Sequence, residues 1–167
     1  MPAKFKQAFV LIEWIKNLKS MKSRNINIVK NIAFVENDNR KNDLIEWSYF
    51  NKDLLMSHKI IATGSAGNIL EGTLNMPVCK LSSGIFGYRE LSAKISEGKV
   101  DVIIFFGDEP ETQMNNNAFD FLMGTALSNN IIIAKNKPTA DFVLTSALMN
   151  KNYSISILGN STFLKTM

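Results

Sequence analysis

KIIATGSAGNILEGTL, residues 59–74, decides the fold. Two Ile and an Ala precede a turn in which two Gly stand among a Thr and a Ser, and the chain then returns to the apolar spacing of a helix. An apolar strand that passes through a glycine turn into an amphipathic helix is the repeating unit of a parallel sheet held between helix layers. Gly64 and Gly67 permit tight backbone turns, amide donors gather where the helix begins, and Thr63 and Ser65 add hydroxyls, a combination suited to an anion. The same composition also serves as a plain strand-to-helix connection.

The alternation extends on both sides. NIAFV, KIIATG, PVCKL, VDVIIFF and NIIIAK are short, β-branched and almost continuously apolar, as strands covered on both faces are. Between them lie the helical patterns NDLIEWSYFNKDLLMS, AGNILEGTL, RELSAKISEGK and NNAFDFLMGTALSNN. PTADFVLTSAL starts as a further helix, with Thr139 as its cap and Asp141 in its first turn, and YSISIL is a last strand. In such a sheet, ligands sit at the carboxyl ends of the strands. Four polar loops, ENDNRK, TGSAGN, SSGIFGYRE and FGDEPETQMNNN, therefore line one cleft. Lys41 brings a positive charge to it, whereas His58, the single histidine, falls at the opposite end and reads as a surface or strand-edge residue.

A chain of 167 residues with 46% hydrophobic content fits one compact core. Residues 1–28 are set apart as a helical extension and 29–167 as the α/β domain. In the extension Phe5, Phe9, Ile12, Trp14, Ile15 and Leu18 fall near helical spacing, which predicts a helix packed on the domain or on a second subunit, membrane docking and an arm for another partner being the alternatives. Glu13 and Lys16 interrupt its apolar run well short of a signal peptide, and no stretch reaches the ~20 apolar residues of a membrane span, so a cytoplasmic protein is expected. The net charge of +4 is too diffuse for nucleic-acid binding. With one cysteine, Cys79, the chain has no intramolecular disulfide and no thiolate metal cluster, and Cys79 reads as a core or strand-edge thiol.

Taken in order, IAFVENDNRKNDLIEW, HKIIATGSAGNIL, LSSGIFG, ISEGKVDVIIFFGD and NKPTADF resemble methylglyoxal synthase and its superfamily of phosphate-binding domains, from about residue 31 to residue 146. The resemblance implies a three-layer α/β/α sandwich around a five-stranded parallel sheet, a shared phosphate pocket and, in the enzymes, a homohexamer that converts dihydroxyacetone phosphate to methylglyoxal and phosphate without metal or organic cofactor. Lys41, Thr63, Ser65 and Ser83 fall on the family's phosphate-binding positions, with Gly64, Gly67 and Gly84 in the same turns and Ala66 where the family has a second Thr. Asn37, Asp38, Phe86, Tyr88, Arg89, Asp108 and Asn115 complete the implied cleft.

The departures fall on the catalytic positions. Asp38 keeps the family's Asp in the first loop, but Asn37 replaces the His before it, and Asn115 stands at a second family His. In the third loop the family's base is an Asp; here SGIFGYREL is one residue shorter and offers Tyr88, Arg89 or a gap. Glu90 is the nearest acid, so Asp38 and Glu90 are the candidate catalytic groups; near the C-terminus Lys165 is the only candidate for the family's Arg. Loss of a general base typically forfeits about 10²–10⁴-fold in rate. The sequence therefore favours a non-catalytic domain that senses or sequesters a phosphorylated small molecule, a nucleotide-derived signal among the candidates. Methylglyoxal synthase itself is the alternative, and an oligomeric interaction subunit with a vestigial pocket is the third reading.

Overall fold

A computed structural model describes residues 3–19, 21–35, 38–106 and 113–157, with side chains for 5–16, 21–35, 39–106 and 116–157. In chain order the elements are α1 (Ala3–Lys19), β1 (Lys22–Ile26), β2 (Asn31–Val35), α2 (Lys41–Phe50), α3 (Lys52–Leu55), β3 (Lys59–Thr63), α4 (Ala66–Leu74), β4 (Cys79–Leu81), α5 (Gly84–Ser96), β5 (Val102–Phe105), α6 (Gln113–Ser128), β6 (Ile132–Ala134), α7 (Lys137–Thr145) and β7 (Tyr153–Ile157). Short 3-10 turns occupy Asp38–Arg40 and Ala147–Asn150.

Five strands form one parallel sheet in the order β4-β3-β2-β5-β6. Successive residues of a strand face opposite sides, and the sequence uses that period twice over. Ile32 and Phe34 of β2, Ile60 and Ala62 of β3, and Val102 and Ile104 of β5 face a core closed by Leu44 and Trp47 of α2, Leu70 of α4 and Leu144 of α7. Ala33, Val35, Ile61, Ile103 and Phe105 face a second core closed by Leu91 and Ile95 of α5 and Leu122 of α6. Apolar residues on both faces explain the near-continuous hydrophobic runs, and the chain is the α/β/α sandwich that the sequence predicts.

Four details differ from the sequence reading. Lys22–Ile26, inside the segment read as helical, is a strand that pairs antiparallel with β7, from Lys22 opposite Ile157 to Ile26 opposite Tyr153. KSRNI carries a single apolar residue, so it shows no period for a sequence reading to detect. The helix expected over 42–57 breaks at Asn51, whose amide group donates to Trp47 O at 2.9 Å and draws the backbone out of the helical path. Asn136, not Thr139, caps α7: its side chain accepts from Thr139 N and from Thr139 Oγ1, which leaves Asp141 in the middle of the helix and not in its first turn. His58 is buried, not a surface group. Its Nδ1 accepts from Lys30 N at 3.2 Å, and burial, followed by the charge of Lys30, lowers its pKa. Cys79 is exposed on the edge strand, one of its two expected placements.

The helix α1 forms as its spacing predicts, yet its apolar side chains are exposed, Phe9 at 66% and Trp14 at 60%. The strand that follows is anchored. Arg24 donates to Asp101 Oδ1 at 2.8 Å, while the other carboxylate oxygen accepts from Asn31 N at 2.7 Å and from Asn31 Nδ2 at 3.2 Å. Asp101 is 4% exposed. Removing one partner of a buried ion pair strands the other, so Asp101→Ala is expected to lower unfolding stability by about 3–5 kcal/mol, read by urea denaturation. A loss no larger than that of an exposed pair, about 0–1 kcal/mol, would show that the anchor carries no load.

Candidate functional site

Because the five strands are parallel, their carboxyl ends share one edge of the sheet, and α2, α4, α5 and α7 start there with their positive dipole ends toward it. The chain reverses direction in the sheet between β2 and β5, the switch point where such folds open a crevice. Lys41 is the first residue of α2 and half-buried. Asp38 opens the preceding 3-10 turn, its side chain outside the described residues. Asn37 and Asp108 also lie outside the described residues; Asn115 is placed in the first turn of α6 by its backbone alone.

Thr63 ends β3 fully buried, and Gly64 follows in the left-handed conformation at φ 55°. The amide of Gly64 donates to Leu81 O and Ser82 O, at 3.2 Å each, and that of Gly67 to Gly64 O at 3.4 Å. The sequence predicts amide donors gathered where this helix begins. The structure turns Gly64 toward β4 and Gly67 back into its own turn, which leaves the amides of Ser65 and Ala66 at the head of α4. Gly67 has another reason to be glycine: a Cβ there would stand 2.8 Å from Cγ of Lys80 on β4. The Lys80 ammonium lies beyond, paired with Glu71.

The third loop is much shorter than the sequence suggests, because α5 begins at Gly84 and not near Arg89. Two glycines in the first turn hide the helix start, since glycine weakens any helical pattern. Gly84 has φ 56°, and Ser83 before it is extended and exposed. Gly87 lets α5 press on the loop: a Cβ there would lie 2.0 Å from Ser82 O and 3.3 Å from Cβ of Thr63. Tyr88, expected in the cleft, is therefore a core residue. It is 6% exposed and meets Phe119 edge-on at 5.8 Å. Phe86 and Arg89, on the outer side of the same turn, are exposed.

Glu90 reaches back to that loop. Its Oε2 accepts from Ser82 N at 3.0 Å and its Oε1 from Ser82 Oγ at 2.7 Å. The backbone hydrogen bond, the Ser82 hydroxyl and the charge of Lys94 hold its carboxyl below the ordinary range. A carboxylate with both oxygens engaged and a lowered proton affinity is a clamp for the loop before it is a base. Sequence reasoning passes over Ser82 and Gly87. Ser82 leaves no local signature, while a second glycine three residues after Gly84 is a recognisable sign of close backbone approach.

Among the described residues, no group of three or more His, Cys, Asp or Glu is placed to hold a metal, and no helix is long and apolar enough to cross a membrane.

The elements define an open parallel α/β domain with polar loops at the carboxyl ends of its strands. No family model matches the chain. The methylglyoxal synthase of Coxiella burnetii is 41% identical over 126 residues, 75% of this chain and 88% of that protein. The methylglyoxal synthase of Leptospira interrogans is 32% identical over 146 residues, 87% of this chain and 99% of that protein. The crystal structure of methylglyoxal synthase from Elizabethkingia anophelis matches with a TM-score of 0.76 at 31% identity, over 87% of this chain and 97% of that one. The chain belongs to the methylglyoxal synthase family.

The Glu90 clamp has a pH signature. Its pKa is lowered in the fold, so its contribution is present above the unfolded value of 4.5 and is lost as pH falls through the folded value. The difference in melting temperature between the protein and Glu90→Gln is expected to be larger at neutral pH than in acid; a difference constant across that range would show that the clamp contributes nothing. Gly87→Ala, which forces Ser82 O aside, is expected to cost at least the ~1–3 kcal/mol of overpacking in thermal unfolding.

Proposed function

We propose that the protein binds dihydroxyacetone phosphate or a closely similar three-carbon phosphate ester at the carboxyl edge of the sheet, and converts it to methylglyoxal and phosphate. The observation that carries this reading is kinship: relatives 32–41% identical over most of this chain are named methylglyoxal synthase. Eliminating phosphate requires a grip on the leaving group, a carboxylate to take the proton beside the carbonyl, and donors for the enediolate oxygen. Lys41, Ser65, Thr63 and Ser83 supply the grip together with the amides at the head of α4, and the positive helix ends add to it. Asp38, at the start of the turn that leads into α2, is the first choice for the base. The protein works in the cytoplasm, without metal, as a homo-oligomer.

A second reading, binding without turnover, is favoured by one observation. The acid of the third loop, Glu90, is committed to Ser82, and Tyr88 is committed to the core, so no uncommitted carboxylate of that loop faces a substrate. The ligand is then a phosphorylated effector, a nucleotide-derived signal included.

Methylglyoxal release from dihydroxyacetone phosphate decides between them. Turnover in the usual enzyme range of ~1–10³ s⁻¹, lost about 10²–10⁴-fold in Asp38→Asn, supports the first. Saturable binding of the substrate with no product supports the second, and absence of both leaves only an interaction subunit. In either binding reading Lys41→Ala is expected to weaken calorimetric affinity by about 1.5–3 kcal/mol and Ser65→Ala by about 0.5–1.5 kcal/mol, the scales of charged and neutral hydrogen bonds. Wild-type affinity in both variants refutes the grip. Sedimentation of a clean monomer at micromolar concentration refutes the oligomer.

A further inference from the structure

At the amino edge of the sheet, opposite the loops above, a cavity of about 210 Å3 is lined mainly by apolar side chains, among them Ile26, Ile132, Val143 and Met149, together with Lys30 and Ser146. We propose that it is a second binding site, for a small monocarboxylate with a compact apolar body, whose carboxylate is received by Lys30.

Three observations carry this. The first is size and lining. An apolar cavity of roughly 150 Å3 takes up benzene, so this one holds a single ring or a short branched chain with room for a polar head.

The second is Lys30. It is 1% exposed, and its Nζ donates to Asn27 O at 2.5 Å and Lys151 O at 2.6 Å. An ammonium has three donors, so one hydrogen remains beyond these two carbonyls. No carboxylate forms an ion pair with Lys30 among the described residues. The carboxylate that acts on it from a distance, Asp101, is already engaged by Arg24 and Asn31. A buried ammonium without an anion in contact is unfavourable, and burial lowers the Lys30 pKa accordingly. An anion entering the cavity meets a preorganised cation in a poorly screened site, where the pairing is strong.

The third is Ser146. Its Oγ accepts from Leu148 N at 3.2 Å, which leaves the hydroxyl hydrogen to donate to the same carboxylate.

The site is built from the end of β1, the turn that carries Lys30 into β2, the start of β6, the end of α7, the 3-10 turn after it and the start of β7, so nothing in it belongs to the strand-carboxyl edge. Its occupancy does not depend on the function proposed above.

The test uses the full chain, isotopically labelled, with inorganic phosphate present to keep the carboxyl edge occupied. Phenylacetate is titrated against its neutral isostere phenylacetamide. The expected result is saturable shifts at the amides of Lys30, Val143, Leu148 and Tyr153, with the acid at least tenfold tighter than the amide. Val143→Phe fills the cavity without touching Lys30; it is expected to lose the acid tenfold or more while its melting curve remains cooperative. In Lys30→Met the preference for acid over amide is expected to vanish. If Lys30→Met does not fold, the filling variant and the isostere comparison still decide. Equal affinity for acid and amide, unchanged binding in Val143→Phe, or the absence of saturable shifts at those amides overturns the proposal.

Discussion

Asp101 brings the sheet into register. Its side chain accepts from the backbone of Asn31, where β2 starts, and from Arg24 on β1, while its own amide donates to Asn31 O at 2.9 Å and its carbonyl accepts from Ile132 N at 3.2 Å. One residue thus joins the starts of three neighbouring parallel strands and ties the antiparallel ribbon to them. A parallel sheet has no hairpins to set its register. A buried carboxylate at the entry of the central pair does that work here, and the alternating residues of β2 and β5 then reach their two cores in step.

The carboxyl edge, opposite this anchor, is held in a different way. Its loops are held by close backbone approach: Gly67 against Lys80, Gly87 against Ser82, and Glu90 hydrogen-bonded across the third loop. The first helix of the site is fixed from further away. Trp47 of α2 packs on Phe34 and Phe106 and donates to Asp141 Oδ1 at 2.6 Å, so the Asp of the TADF stretch on α7 sets how α2, and with it Lys41, sits at the edge. A motif recognisable in the sequence by its family thus acts through a buried tryptophan, by holding a helix in place.

The strands of the central sheet were legible because burial on both faces writes itself as unbroken apolar runs, and the glycine turn after β3 marked the passage into α4. Three things were not. The strand at Lys22–Ile26 has one apolar residue and owes its existence to a partner more than a hundred residues away, β7, which no local pattern reveals. The start of α5 was masked by Gly84 and Gly87, which moved Tyr88 from an expected cleft into the core. The Lys30 cavity is assembled from both halves of the chain, and a lone lysine just ahead of a strand reads as solvated until its burial is seen. Helix α1 is the reverse case: its spacing was plain, yet its large apolar side chains, among the described residues, are exposed.

The ribbon of β1 and β7 gives the molecule a mechanical asymmetry. Lys22 faces Ile157 at its outer end and Ile26 faces Tyr153 at its inner end, so a pull that separates residues 22 and 157 opens the cross-strand bonds in succession, like a zip, and not all at once in shear. Tension applied there peels the ribbon toward Arg24 and Asp101 before it loads any strand of the parallel sheet. The carboxyl-edge loops, on the far side of five strands, are then the last part of the fold to feel it.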